Sequence, residues 1–184
     1  MTPGPGNDWI APMLHELTAV QMGRLLPAFE SWLDKAVEHA ESKGFDPETL
    51  LDFRLAPDQF NLRRQFQAAC DAIKFAVARP AGVEAPKDDD QEKTIAEIRE
   101  RIQRTAKFVE SVDPRAIDEG EEREVRLGWM PGRGIRAVDY VVDFAQLNFY
   151  FHASMAYAIL RSAGVSLGKR DFITHMRTHA VEEA

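Results

Sequence analysis

Apolar positions recur at helical spacing in four long stretches of the chain. From about Ala11 to Lys43, Leu14, Leu17, Leu25, Phe29, Leu33 and Val37 mark one face of an amphipathic helix, and Gly44 is a natural stop. Pro27 removes a backbone donor and crowds the preceding turn, which predicts a kink or break there. In "FDPETLLDF", Asp46 can cap a short helix with Pro47 at its first position. Asp58 is the expected cap of the second long helix, "DQFNLRRQFQAACDAIKFAVARPAG", which ends at Pro80 and Gly82. Its Ala68, Ala69, Ala72 and Ala76 form a strip of small residues that lets a neighbouring helix come close.

After the loop "EAPKDDDQEKT", the third long helix carries Ile95, Ile98, Ile102, Thr105, Phe108 and Val112 on a narrow stripe. Its Glu97, Arg99, Glu100, Arg101 and Arg104 are expected on solvated faces. Asp88, Asp89 and Asp90 precede it as negative charge complementing the helix dipole; the spacing of a calcium loop is absent. Val125, Leu127 and Trp129 alternate before a turn through Pro131, Gly132 and Gly134, which predicts a β-hairpin. The fourth long helix, from about Ala137 to Ala163, is apolar on nearly every side and therefore central, and Gly164 ends it. "GVSLGKRDF" then follows as packed coil. Residues 1–10 read as a flexible lead-in, 11–173 as one domain and 174–184 as a polar tail.

A chain of 184 residues fits one core without metal or disulfide staples. Its net charge of -7 disfavours nucleic acid as a partner. No apolar run is long enough to span a bilayer, so no membrane role is expected, and the lead-in lacks the features of a secretion signal. A cytoplasmic protein is the expectation. The single cysteine, Cys70, reads as a buried, inert thiol.

The chemistry worth weighing lies in "NFYFHASMAYAIL". Asn148 and His152 are one turn apart on an otherwise apolar helix, so their side chains act together. Asn61 and Gln65 share a face of the second helix with the alanine strip, and packing of the two helices could oppose the two pairs across a small polar cavity. Three outcomes follow: a hydrogen-bonded structural network, a small-ligand site, or a metal site. Metal ranks last, because amide side chains are weak ligands for zinc or nickel. His15 and His39 read as surface groups. His175 and His179 could share a metal only if the tail were helical. No GxSxG elbow is present, and Ser154 has no base placed by spacing.

The segments "LDKAVEHAESKGFDPETLLDFRLAPDQFNLRRQFQAACDAIK", "KFVESVDP" and "NFYFHASMAYAILRSAGVSLGKRDF" carry a resemblance. Together they are similar to the bacterial Domain of Unknown Function family numbered nineteen ninety-three, over about Leu33 to Phe172. The resemblance implies an all-α fold, the DinB/YfiT-like up-down-down-up four-helix bundle with a small hairpin before the last helix. It also implies kinship with metal-dependent enzymes and thiol transferases whose ion is held by three histidines. On that pattern His152 matches one ligand position, whereas Asn148 and Gln65 replace the other two. The expectation is a metal-independent pocket for a small ligand, lined by Gln65, Asn148, His152 and Asn61. No cofactor is expected. Two functions compete with that pocket: a divergent divalent-metal-dependent or thiol-dependent transferase or hydrolase, its incomplete histidine set completed by water, substrate or a carboxylate such as Asp71 or Asp143, and a non-catalytic structural or interaction protein. A homodimer through outer helix faces is expected by analogy.

Overall fold

The computed structural model describes residues 13–180. The proposed lead-in, residues 1–10, and the last four residues of the tail lie outside the described residues. The first long stretch is interrupted, as expected, but ahead of the proline. A π-helical segment, Glu16–Val20, and a turn precede helix α1, Leu25–Lys43. Pro27 falls in the first turn of α1, where the missing N–H would have had no helical partner, so it is accommodated at a helix start. Gly44 adopts the left-handed conformation at φ 74° and closes the helix. Asp46 caps a 3-10 turn, Pro47–Asp52, by accepting from the Glu48 N–H.

Helix α2 spans Leu62–Ala81 and is capped by Asn61, whose side-chain oxygen accepts from the Arg64 N–H at 3.1 Å. The expected cap, Asp58, lies outside the helix and is exposed. Helix α3, Ile95–Ser111, begins with a capping box between Thr94 and Glu97. The short α4, Pro114–Asp118, leads to strands β1, Glu124–Val125, and β2, Ile135–Arg136. They pair antiparallel in the expected hairpin. The last long stretch is helix α5, Ala137–Tyr140, a π-helical segment Val141–Ala145, and helix α6, Gln146–Ser162. A final short helix, α7, is Lys169–Phe172.

Helix directions follow from which residues meet. Phe29 meets Phe149, and further along both helices Trp32 meets Tyr157, so α1 and α6 run the same way. Gln67 and Cys70 of α2 meet Arg101 and Thr105 of α3 in ascending order, so these two are also parallel. Gln65 meets His152 while Arg79 meets Tyr140, so α2 and α6 are antiparallel. The result is an up-down-down-up bundle of α1, α2, α3 and α6. The long connection over residues 82–94 is what lets α3 restart parallel to α2.

Phe29, Trp32, Phe66 and Phe149 are fully buried and their rings meet at tilted or edge-on angles, which favours ring quadrupole contacts as well as apolar burial. The alanine strip of α2 is largely buried, and α6 lies against it. Val165 and Leu167 are buried beyond α6, and Phe172 stacks on Trp32. The Trp32 indole donates to the Asp171 carbonyl at 2.9 Å and Lys35 pairs with the Asp171 carboxylate at 2.6 Å, so "GVSLGKRDF" is pinned to α1. Beyond Phe172 the described tail is coil.

One expectation is overturned by the core. Arg101 is 0 % exposed rather than solvated. Its guanidinium donates to Asp71 at 2.8 Å, Asp90 at 2.7 Å and Glu92 at 3.1 Å. Lys74, also buried, pairs with Asp71 and Asp88 and donates to the Pro86 carbonyl. The aspartate run therefore straps the 82–94 connection onto α2 and α3. Helix α3 has its own cap in Thr94 and does not rely on that run.

Candidate functional site

A cleft of about 280 Å³ lies between α2 and α6. Its α2 wall carries Arg64, Ala68, Asp71, Ala72, Phe75 and Arg79, and its opposite wall carries Tyr140, Phe144, Asn148 and His152. The α2 residues recur at three- and four-residue steps, which keeps them on one face. The opposite set recurs strictly every four residues, and in an ideal α-helix each such step drifts by about 40°. The π-helical segment Val141–Ala145 winds more slowly and offsets that drift, so residues 140 to 152 stay aimed at one cleft. Phe60 lines the His152 end, where the two rings stack, and Trp129 reaches in from the hairpin.

The structure brings Gln65 and His152 together and treats the other two expected residues differently. His152 Nδ1 lies 2.8 Å from Gln65 Oε1. The Gln65 amide nitrogen donates to the Phe60 carbonyl at 3.1 Å, which fixes the amide orientation and leaves Oε1 as an acceptor. His152 Nδ1 must then carry the proton and donate, leaving Nε2 with its lone pair free. Burial depresses the His152 pKa below its ordinary value, and the positive charge of Arg64 acts in the same direction. The imidazole is thus neutral near pH 7 and accepts at Nε2.

Asn148 is half-buried in the cleft wall, and its amide makes no hydrogen bond with another described residue. Asn61 is engaged elsewhere: it caps α2, and its Nδ2 donates to Asp52 at 3.2 Å. Asp71 is held by Arg101 and Lys74, and Asp143 is exposed. His15 hydrogen-bonds Asp118 at 3.1 Å, and both His15 and His39 are half-buried rather than surface groups. His175 and His179 lie in coil, without the helical spacing a shared ion requires. Cys70 is buried, and burial pushes its thiol up to about 12.

Sequence reasoning passed over the other end of the cleft. Arg79 lies over the rings of Phe75, at 4.6 Å, and Tyr140, at 4.7 Å. No carboxylate among the described residues forms an ion pair with it. Burial raises the pKa of the Tyr140 hydroxyl, opposed by Arg79, and so keeps it protonated. The clue in the chain was the spacing of Arg64, Ala68, Ala72, Phe75 and Arg79 along one helical face.

The family model for the Domain of unknown function (DUF1993) matches residues 14–173. The chain belongs to that family. A crystal structure of a DinB family member protein from Shewanella denitrificans is 38% identical in sequence, with 91% of this chain and 96% of that one covered and a TM-score of 0.87. No curated protein matches the chain. This DUF1993 chain has the DinB-like bundle that its sequence suggested, and no described helix is long and apolar enough to cross a membrane.

The donor set bears on the metal-dependent reading that the resemblance implied. One imidazole nitrogen is free, the Gln65 oxygen is occupied by His152, and Asn148 adds a neutral amide. Among the described residues, no group of three or more His, Cys, Asp or Glu side chains is placed to hold an ion. Among the described residues, the cleft offers one imidazole nitrogen and neutral amides, a poorer donor set for zinc or nickel than several imidazoles or thiolates.

Proposed function

We propose that this DUF1993 protein binds a small ligand in the α2–α6 cleft without a metal ion. The observation that carries the reading is the Gln65–His152 hydrogen bond at 2.8 Å, which orients a neutral imidazole and frees Nε2 to accept from a ligand O–H or N–H. Asn148, one turn away, supplies a donor and an acceptor. Arg64 beside the imidazole disfavours its protonation and so preserves the acceptor. The same orienting device serves binding or proton abstraction, and the reading commits to binding.

The test uses phenol as a neutral hydrogen-bond donor, followed by NMR of the His152 ring and the Asn148 amide. Shifts at both groups, lost in a folded His152→Ala variant, are the expected result. Elemental mass spectrometry after incubation with zinc, nickel and manganese provides the counter-test. Near-stoichiometric metal that disappears in His152→Ala would replace this reading with a metal-dependent one. Absence of any phenol shift, with an unfolded variant, would make the imidazole a core-structuring group only.

A further inference from the structure

We propose that the ligand is a planar aromatic monocarboxylate, its carboxylate held by Arg79 and its ring laid against Trp129 and Phe144. The proposal rests on the cleft being a binding site and names the chemistry of its occupant. Arg79 and Arg64 are the two guanidiniums that line the cleft, and they differ in availability. Arg64 is engaged by Asp90 and by the Gln67 oxygen at 3.4 Å. Arg79 has no carboxylate partner among the described residues. Its guanidinium carbon lies over the rings of Phe75 and Tyr140, and its side chain also hydrogen-bonds the Tyr140 hydroxyl, which holds the group in the cleft while no carboxylate of the described residues takes its remaining N–H donors. A planar carboxylate is the anion that a guanidinium accepts in bidentate fashion.

The charge around the cleft selects against a more highly charged ligand. Arg79 is the one cation of the cleft without a carboxylate partner among the described residues, and the chain carries a net charge of -7. A phosphate dianion would meet one guanidinium in a repulsive field, whereas a monoanion is matched. The aromatic body follows from the walls. The Trp129 and Phe144 rings meet at a tilt of 44° with 5.5 Å between centroids, and Phe144 meets Tyr140 at 5.9 Å. Trp129 is nonetheless 63% exposed, an indole with one side left for a partner.

Size and reach agree with this choice. A cleft of about 280 Å³ lies at the lower edge of the range of about 300–1,000 Å³ for drug-sized ligands, which suits a molecule of one ring. From Tyr140 to Asn148 an α-helix would advance about 12 Å, and the π-helical segment shortens that span. A molecule anchored at Arg79 thus presents its far end to Asn148, with the His152 acceptor one turn beyond. A ring substituent carrying a hydroxyl is the group those atoms can recognise.

The test compares 4-hydroxycinnamate with its neutral amide, titrated by Trp fluorescence and by NMR of the Trp129 indole. The acid is expected to bind at least about tenfold more tightly than the amide, the scale of a hydrogen bond to a charged group. Arg79→Gln should erase that difference, and cinnamate without the hydroxyl should bind more weakly to the wild type but equally in Asn148→Ala. The comparison of acid and amide needs no variant, so a folding defect in Arg79→Gln cannot mask it. Equal affinity of acid and amide, with shifts at His152 intact, would overturn the carboxylate proposal and leave the pocket reading standing. Absence of binding by either compound would also overturn it, and phenol shifts at His152 would then decide the pocket reading separately.

Discussion

Replacing Arg101 with Met tests the strap that holds the 82–94 connection in place. The substitution keeps most of the apolar stem and removes a charge that is 0 % exposed. Four carboxylates, from Asp71, Asp88, Asp90 and Glu92, are balanced in the wild type by Arg64, Lys74, Arg101 and Arg104. The variant leaves them one cation short. Breaking one side of a buried pair costs about 3 to 5 kcal/mol. These carboxylates retain side-chain exposures of 29%, 13%, 32% and 9%, so water recovers part of their solvation and the lower end, about 3 kcal/mol, is expected. With a urea slope of about 2 kcal/mol/M, the unfolding midpoint should fall by about 1.5 M.

The acid limb gives a second readout of the same strap. Burial raises the Asp88 pKa, but the Lys74 hydrogen bond and the charge of Arg101 outweigh it and hold the carboxyl below its ordinary value. A depressed carboxyl contributes stability that is present above the ordinary carboxylate pKa and is lost as pH falls through the folded one, here below about pH 4. That acid loss should be smaller in Arg101→Met. A midpoint change equivalent to less than about 1 kcal/mol, with an unchanged acid limb, would refute the strap, since exposed pairs are worth no more than that.

His152 has a folded pKa below its ordinary 6.5, so its contribution to stability is full above that value and declines as pH falls through it toward the folded pKa. Chemical denaturation from pH 8 to 5 should show this decline, and His152→Gln should flatten it. Asn61→Ala should cost about 1 kcal/mol through loss of the α2 cap, whereas Asp58→Ala should stay within about 0.5 kcal/mol; equal effects in urea unfolding would contradict the assignment of the cap. Cys70, with its thiol pushed up to about 12 and fully buried, should react with a thiol reagent only on unfolding, and a fast phase in native protein would show otherwise.

What the chain determined by itself was local. Gly44, Asp46 and Pro47 marked their boundaries because capping and backbone chemistry act over a few residues. The helical stripes and the hairpin were legible for the same reason, since side-chain period follows directly from backbone geometry. Near competition between local groups defeated the same reasoning at α2, where Asp58 and Asn61 both suit a cap and the helix begins after Asn61. Arg101 looked like a solvated residue because its stripe neighbours are charged, and its burial depends on Asp71, thirty positions away, and on the connection folding over it.

The Gln65–His152 pairing joins residues 87 positions apart. Sequence spacing could nominate both residues, but only the antiparallel packing of α2 and α6 decided that they meet and that Asn148 is left without a partner among the described residues. The Arg79 end of the cleft was decided in the same way, by a π-helical segment that turns Tyr140 toward it and a hairpin that brings Trp129. Tertiary contacts fix these features because the free energy of burying or pairing a polar group depends on what the rest of the chain places around it.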